Sequence, residues 1–82
     1  MSHEYSLVTG ASSGIGLEIS KYLAKRGNNV ILTARRESLI KNLKKNLIDK
    51  HNIKADYVSA DLSKSGAPKK IYDFCEAKKY SV

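Results

Sequence analysis

The chain has 82 residues, of which 41% are hydrophobic and 28% charged. That length permits one small domain, that balance excludes a disordered chain, and no apolar run approaches the length of a membrane span. Lys and Arg number 15 against 8 Asp and Glu, a formal charge of +7 that raises the question of a polyanionic partner.

The N-terminal stretch MSHEYSLV has neither the basic start nor the long apolar core of a secretory signal, so the expected location is the cytoplasm. Tyr5 to Thr9 reads as a short buried strand stopped by Gly10. The loop TGASSGIG, Thr9 to Gly16, follows and opens a helix from about Gly14 to Arg26. In it Ile15, Ile19 and Leu23, with Ala24 beside them, form one apolar stripe, and Gly27, Asn28 and Asn29 supply the stop. Val30 to Thr33 is uniformly apolar or β-branched, as expected of a strand covered on both faces, and it ends at Arg35 and Arg36.

Ser38 to about His51 predicts a second helix with Leu39, Ile40, Leu43, Leu47 and Ile48 inward. Lys41, Lys44, Lys45 and Lys50 fall on its other side, which is how a solvated helix face looks, so nucleic acid is not an expected partner. Ala55 to Ala60 reads as a third strand with Asp61 and Leu62 at its exit. The polar link SKSGAP leads to a third helix in which Pro68 suits the first turn and Ile71, Phe74 and Cys75 share a face. Cys75, the single cysteine, cannot form an internal disulfide and reads as a small core residue. Tyr22 and Tyr72 read as surface or interface residues on their helices, and Tyr80, Ser81 and Val82 as the start of a fourth strand. His3 and His51 stand alone and no metal-binding motif occurs, so no metal site is expected.

Strands and helices alternating at this spacing predict right-handed βαβ crossovers and a parallel sheet. The strand exits then share one edge, and a ligand is expected along TGASSGIG, the Arg35-Arg36 corner and the Asp61-Leu62 corner. Glycine costs roughly 1 kcal/mol relative to alanine within a helix, so three glycines at a helix start point to special geometry. The spacing is GxxxGxG. A Walker A loop would need Gly-Lys-Ser/Thr where Ile15, Gly16 and Leu17 stand, and the plain GxGxxG fingerprint is also absent. Gly10 would permit the tight exit from the strand, Gly14 the approach of a pyrophosphate, and Gly16 close packing of helix on sheet. The unpaired N–H groups of the first turn, at the positive end of the helix dipole, make an anion site around Gly14, Ile15 and Gly16. Ser12 and Ser13 either add hydroxyl donors to it or cap the helix.

TGASSGIG, then NVILTARR, then ADLS resembles the start of the short-chain dehydrogenase/reductase family of the classical type, from about Tyr5 to Val82. The resemblance implies a Rossmann-like, doubly wound parallel α/β sheet, of which residues 1–82 would be the N-terminal βαβαβα, cofactor-binding portion. It implies hydride transfer between a nicotinamide cofactor and a carbonyl or secondary alcohol. The acidic residue that would hold the ribose hydroxyls of NAD is absent; Ala34 stands there, and Arg35 and Arg36 follow as the family places them for the 2′-phosphate of NADP. NADP(H) is therefore expected over NAD(H), unless Glu37 pairs with either arginine. At the third corner the resemblance implies that the Asp61 carboxylate accepts from the adenine amino group and that Leu62 lines the ring pocket; loop capping is the other role open to Asp61. The family's catalytic Tyr-x-x-x-Lys is missing, because none of Tyr5, Tyr22, Tyr57, Tyr72 or Tyr80 has a lysine four residues on. No catalytic residue is thus assigned. The expected whole is an oxidoreductase acting on a small molecule as a homo-oligomer, with no nucleic acid and no membrane; the alternative is a stand-alone, non-catalytic nucleotide-binding or interaction module.

Overall fold

The computed structural model describes residues 4–11, 14–61 and 63–81. Its elements run β1 (Ser6–Thr9), α1 (Gly14–Lys25), β2 (Val30–Ala34), α2 (Glu37–His51), β3 (Ala55–Ser59) and α3 (Ala67–Lys78). The three strands form one parallel sheet in the order β1-β2-β3, with Val8 beside Leu32 and Leu32 beside Tyr57. Every residue of β2 is buried, because it is the central strand and helices cover both its faces. Alternation along it sends Val30, Leu32 and Ala34 into one core with Val8, Ala24, Ile40 and Leu47. Ile31 goes to the other, with Val58, Ala60, Ala67, Ile71 and Cys75. The expected α/β arrangement is therefore present, with α1 and α2 on one face and α3 on the other.

Glu4 and Ser81 form a parallel bridge, and the Tyr5 N–H donates to the Ser81 carbonyl at 2.7 Å. The next N–H along, that of Ser6, points the opposite way to Asn29. Ser81 thus lies on the side of β1 away from β2, which makes β1 the point where strand order reverses. The expected fourth strand is seen as this single bridge; Val82 lies outside the described residues.

Helix α1 corrects the expected apolar stripe. Ile15 is 79% exposed and Ile19 44%, whereas Ser20 and Ala24 are buried and Leu23 is half-buried. The face turned to the sheet is Gly16, Ser20 and Ala24, one small residue per turn, with the Ser20 hydroxyl donating to the Gly16 carbonyl at 2.8 Å. A Cβ on Gly16 would lie 2.7 Å from the Gly10 carbonyl carbon and 2.8 Å from the Thr9 oxygen. The helix approaches so closely that bulky residues have no place beneath it, and the isoleucines are rotated outward. A milder correction applies to α2, where Ile40 and Leu47 are buried and Leu43 and Ile48 half-buried, but Leu39 is 43% exposed in the first turn. Pro68 occupies the first turn of α3 as expected.

At the amino ends of the strands, the Asp56 carboxylate accepts from the Tyr80 hydroxyl at 2.6 Å and from the Tyr57 N–H at 2.8 Å. Lys44 and Lys78 stand 3.8 and 3.6 Å from it. Tyr80 in turn packs on Tyr5, ring centroids 4.2 Å apart. Burial alone would raise the Asp56 carboxyl, but the two hydrogen bonds and the lysines outweigh it and hold it below its ordinary 3.8. Burial, then the bond to Asp56, pushes the Tyr80 hydroxyl up.

Two outcomes are expected. Gly16→Ala should lower the unfolding free energy in urea by about 1–3 kcal/mol, while Gly66→Ala, whose Cβ would meet nothing within 4 Å, should leave it nearly unchanged. Because the folded carboxyl of Asp56 titrates below the unfolded one, its contribution is present above the ordinary value and lost as pH falls through the folded one. Urea midpoints measured from pH 7 down to 2 should therefore drop in the acid range, and Asp56→Asn should flatten that drop.

Candidate functional site

All three strands are parallel, so the β1–α1, β2–α2 and β3–α3 connections leave from the same edge of the sheet. Gly10 and Gly14 have φ of +61° and +57°, a left-handed backbone that side chains disfavour, and at both the Cβ position faces open space. Ala11 between them is buried and its N–H donates to the Thr33 carbonyl at 3.1 Å, which ties the loop to the end of β2. Helix α1 starts at Gly14 with no acidic residue in its first turn, and Ile15 stands exposed beside that start. Loop, helix start and open glycine faces thus meet, as anion binding by bare backbone requires. Ser12 and Ser13 lie outside the described residues.

Arg35 and Arg36 are exposed where β2 gives way to α2. Arg36 is the N-cap of α2 in extended conformation, with no side-chain cap. Glu37, the residue that threatened to neutralise the arginines, accepts instead from the Tyr57 hydroxyl at 3.2 Å. Among the described residues neither guanidinium forms an ion pair within 4 Å with a carboxylate. Two cations before a helix start are opposed by its dipole, so an anion there would relieve the site.

At the third corner Asp61 caps its own turn. Its Oδ1 accepts from the Ser63 hydroxyl at 2.6 Å and the Ser63 N–H at 2.9 Å, and its carbonyl accepts from Lys64 N–H. The Ser63 hydroxyl, then the Ser63 N–H, hold the Asp61 carboxyl below the ordinary range; slight burial opposes them and the Arg35 charge adds to them. The backbone bond from Ala60 N–H to the Ala34 carbonyl at 3.0 Å sets the third corner beside the second. Leu62 lies outside the described residues.

Three groups at this edge gave no signal in the sequence. Thr33 Oγ1, at the end of β2, is the one buried side-chain polar atom without a partner among the described residues. Ser59 ends β3, and its hydroxyl donates to the Arg35 carbonyl at 3.1 Å, while Lys70 Nζ of α3 donates to its own carbonyl. A serine in a strand and a lysine on a helix look unremarkable until folding brings the three elements together. Among the described residues no group of three His, Cys, Asp or Glu could hold a metal, and no helix is long and apolar enough to cross a membrane.

A family model described as short chain dehydrogenase matches residues 4–82. The very-long-chain 3-oxoacyl-CoA reductase of Candida glabrata is 43% identical over 75 residues, which are 89% of this chain and 21% of that protein. A short-chain dehydrogenase from Sphingobium yanoikuyae in complex with NADPH superposes with a TM-score of 0.81 at 30% identity, over 87% of this chain and 28% of that one. L-Sorbose reductase from Gluconobacter frateurii, complexed with NADPH and L-sorbose, gives 0.85 at 26% identity, over 94% and 29%. The chain thus spans about a fifth of the curated relative it matches. The parallel Rossmann-like sheet is what the superposed structures share with it, and the chain belongs to the short chain dehydrogenase family.

Proposed function

We propose that this chain is the NADP(H)-binding portion of an oxidoreductase that moves hydride between the nicotinamide and a carbonyl or secondary alcohol. The observation that carries the preference for NADP(H) over NAD(H) is the corner after β2: no carboxylate at Ala34, two arginines outside any ion pair among the described residues, and Glu37 turned to Tyr57. The NADPH complexes of the Sphingobium and Gluconobacter proteins support it, and the 3-oxoacyl and sorbose relatives support a carbonyl substrate.

The residues present fit such a cofactor. Open space at the Cβ positions of Gly10 and Gly14 leaves room for a pyrophosphate against the first-turn N–H groups of α1, with Ser12 and Ser13 as further donors. Gly16 keeps the helix start in place, and the exposed Ile15 side chain offers an apolar contact beside it. Arg35 and Arg36 take the 2′-phosphate. The adenine lies by Asp61 and Leu62, where Asp61 serves with Oδ2, since Ser63 occupies Oδ1. When bound, the cofactor supplies the hydride; the acid/base residues belong to the part of the protein beyond this portion. The protein is a cytoplasmic homo-oligomer in this proposal, and the buried thiol of Cys75 stays reduced.

Fluorescence titration with NADPH and NADH tests the assignment. Arg35→Asp should weaken NADPH by tenfold or more, the worth of one charge-assisted hydrogen bond, and leave NADH nearly unchanged. Gly14→Val should abolish binding of both, since valine is strained at φ +57° and fills the phosphate space. Unaltered NADPH affinity in the arginine variant would return Arg35 to the ordinary surface charges.

A further inference from the structure

We infer that Ser59 is a positioning residue for cofactor discrimination: its hydroxyl holds the Arg35 main chain and thereby sets where the guanidinium stands for a 2′-phosphate. The inference rests on the assignment of Arg35 made above and adds a residue on a different strand. The sheet bond from Ala60 N–H to the Ala34 carbonyl and the bond from Ile40 N–H to the Arg36 carbonyl bracket Arg35. Its own carbonyl falls in the gap between sheet and helix, and the Ser59 hydroxyl bridges that gap at 3.1 Å.

Ser59 is itself a fixed anchor. It is paired with Ala34 in the ladder, and because the Ala60 N–H faces β2, the trans peptide turns the Ser59 carbonyl the other way. There Lys70 of α3 donates to it. The residue that holds Arg35 is thus held from both sides, by β2 and by α3. Arginine has a long, rotatable side chain, so the place its guanidinium can reach is set by where its backbone leaves the sheet. Arg35 is exposed at the exit of β2, on the same edge of the sheet from which the β1–α1 and β3–α3 connections leave. Ser59 touches no candidate ligand group itself; it acts through Arg35.

A residue that merely stabilised the fold would weaken every ligand alike, whereas one that positions Arg35 affects only ligands with a 2′-phosphate. The test uses the full chain with adenosine 2′,5′-bisphosphate and 5′-AMP as probes, their affinities read by calorimetry. Wild type should prefer the bisphosphate. Ser59→Ala, and Ser59→Val as a strand-favouring second deletion of the hydroxyl, should weaken the bisphosphate roughly two- to tenfold, the range of one neutral hydrogen bond, and leave 5′-AMP unchanged. Ser59→Thr, which keeps the hydroxyl, should restore the preference. Equal weakening of both probes, no change in their ratio, or failure of threonine to restore it overturns the role of Ser59 while Arg35 stands. A wild-type chain that binds both probes equally, or neither, overturns the Arg35 assignment and this inference with it.

Discussion

Helix α1 meets the exit of β1 at a distance that only a residue without a side chain allows. At Gly16 the helix backbone lies against the Thr9 and Gly10 carbonyls, and one methyl group there would collide with main chain rather than with a movable side chain. Main chain cannot step aside without shifting β1, and β1 is bonded along its length to β2. The contact therefore fixes the start of α1 over the edge of the sheet, with its free N–H groups beside the glycine loop. The same closeness explains Ser20 and Ala24 on the inner face, and the exposure of Ile15 and Ile19.

The two ends of the sheet are built differently. At the amino ends, Asp56, Tyr80, Tyr5 and two lysines form a connected cluster that closes the bottom of the α3 face and brings Ser81 beside β1. At the carboxyl ends, backbone turns carry positive φ and, among the described residues, Arg35 and Arg36 form no ion pair with a carboxylate and the buried Thr33 hydroxyl has no partner. The hydrogen-bonded cluster of charges and rings thus lies at the end of the sheet opposite the one where a ligand is expected. The carboxyl edge is nonetheless not slack: Ala11 is tied to Thr33, Ala60 to Ala34, and Ser59 to Arg35. These ties hold the corners in register with one another.

Asp61 performs a local role at the start of the turn into α3. Its first oxygen accepts from the Ser63 hydroxyl and N–H, which orders the turn into α3. The capping role expected from the sequence is present at Oδ1; the adenine contact proposed above would fall to Oδ2.

Alternation of strand and helix, the buried character of Val30 to Thr33, the helix stop at Gly27 and the proline in the first turn of α3 were all legible in the chain, because period, β-branching and turn chemistry are local, although the helix ends one residue earlier and the strand one later than the pattern gave. So was the role of Gly16, since a glycine two positions after Gly14 at a helix start leaves few reasons for its presence. The rotation of α1 was not legible: hydrophobicity ranked Ile15 and Ile19 as core, and only the closeness of helix to loop shows that size outranks it there. Nor was the choice of Glu37, which could have paired with an arginine but meets Tyr57, twenty residues on, because β3 lies beside β2. Ser59 became visible only through that same adjacency, and Lys70 only through the packing of α3 against β3. Local patterns along the chain carry the order of elements; which side chains meet at the corners depends on strand pairing and helix approach, which involve residues distant in sequence.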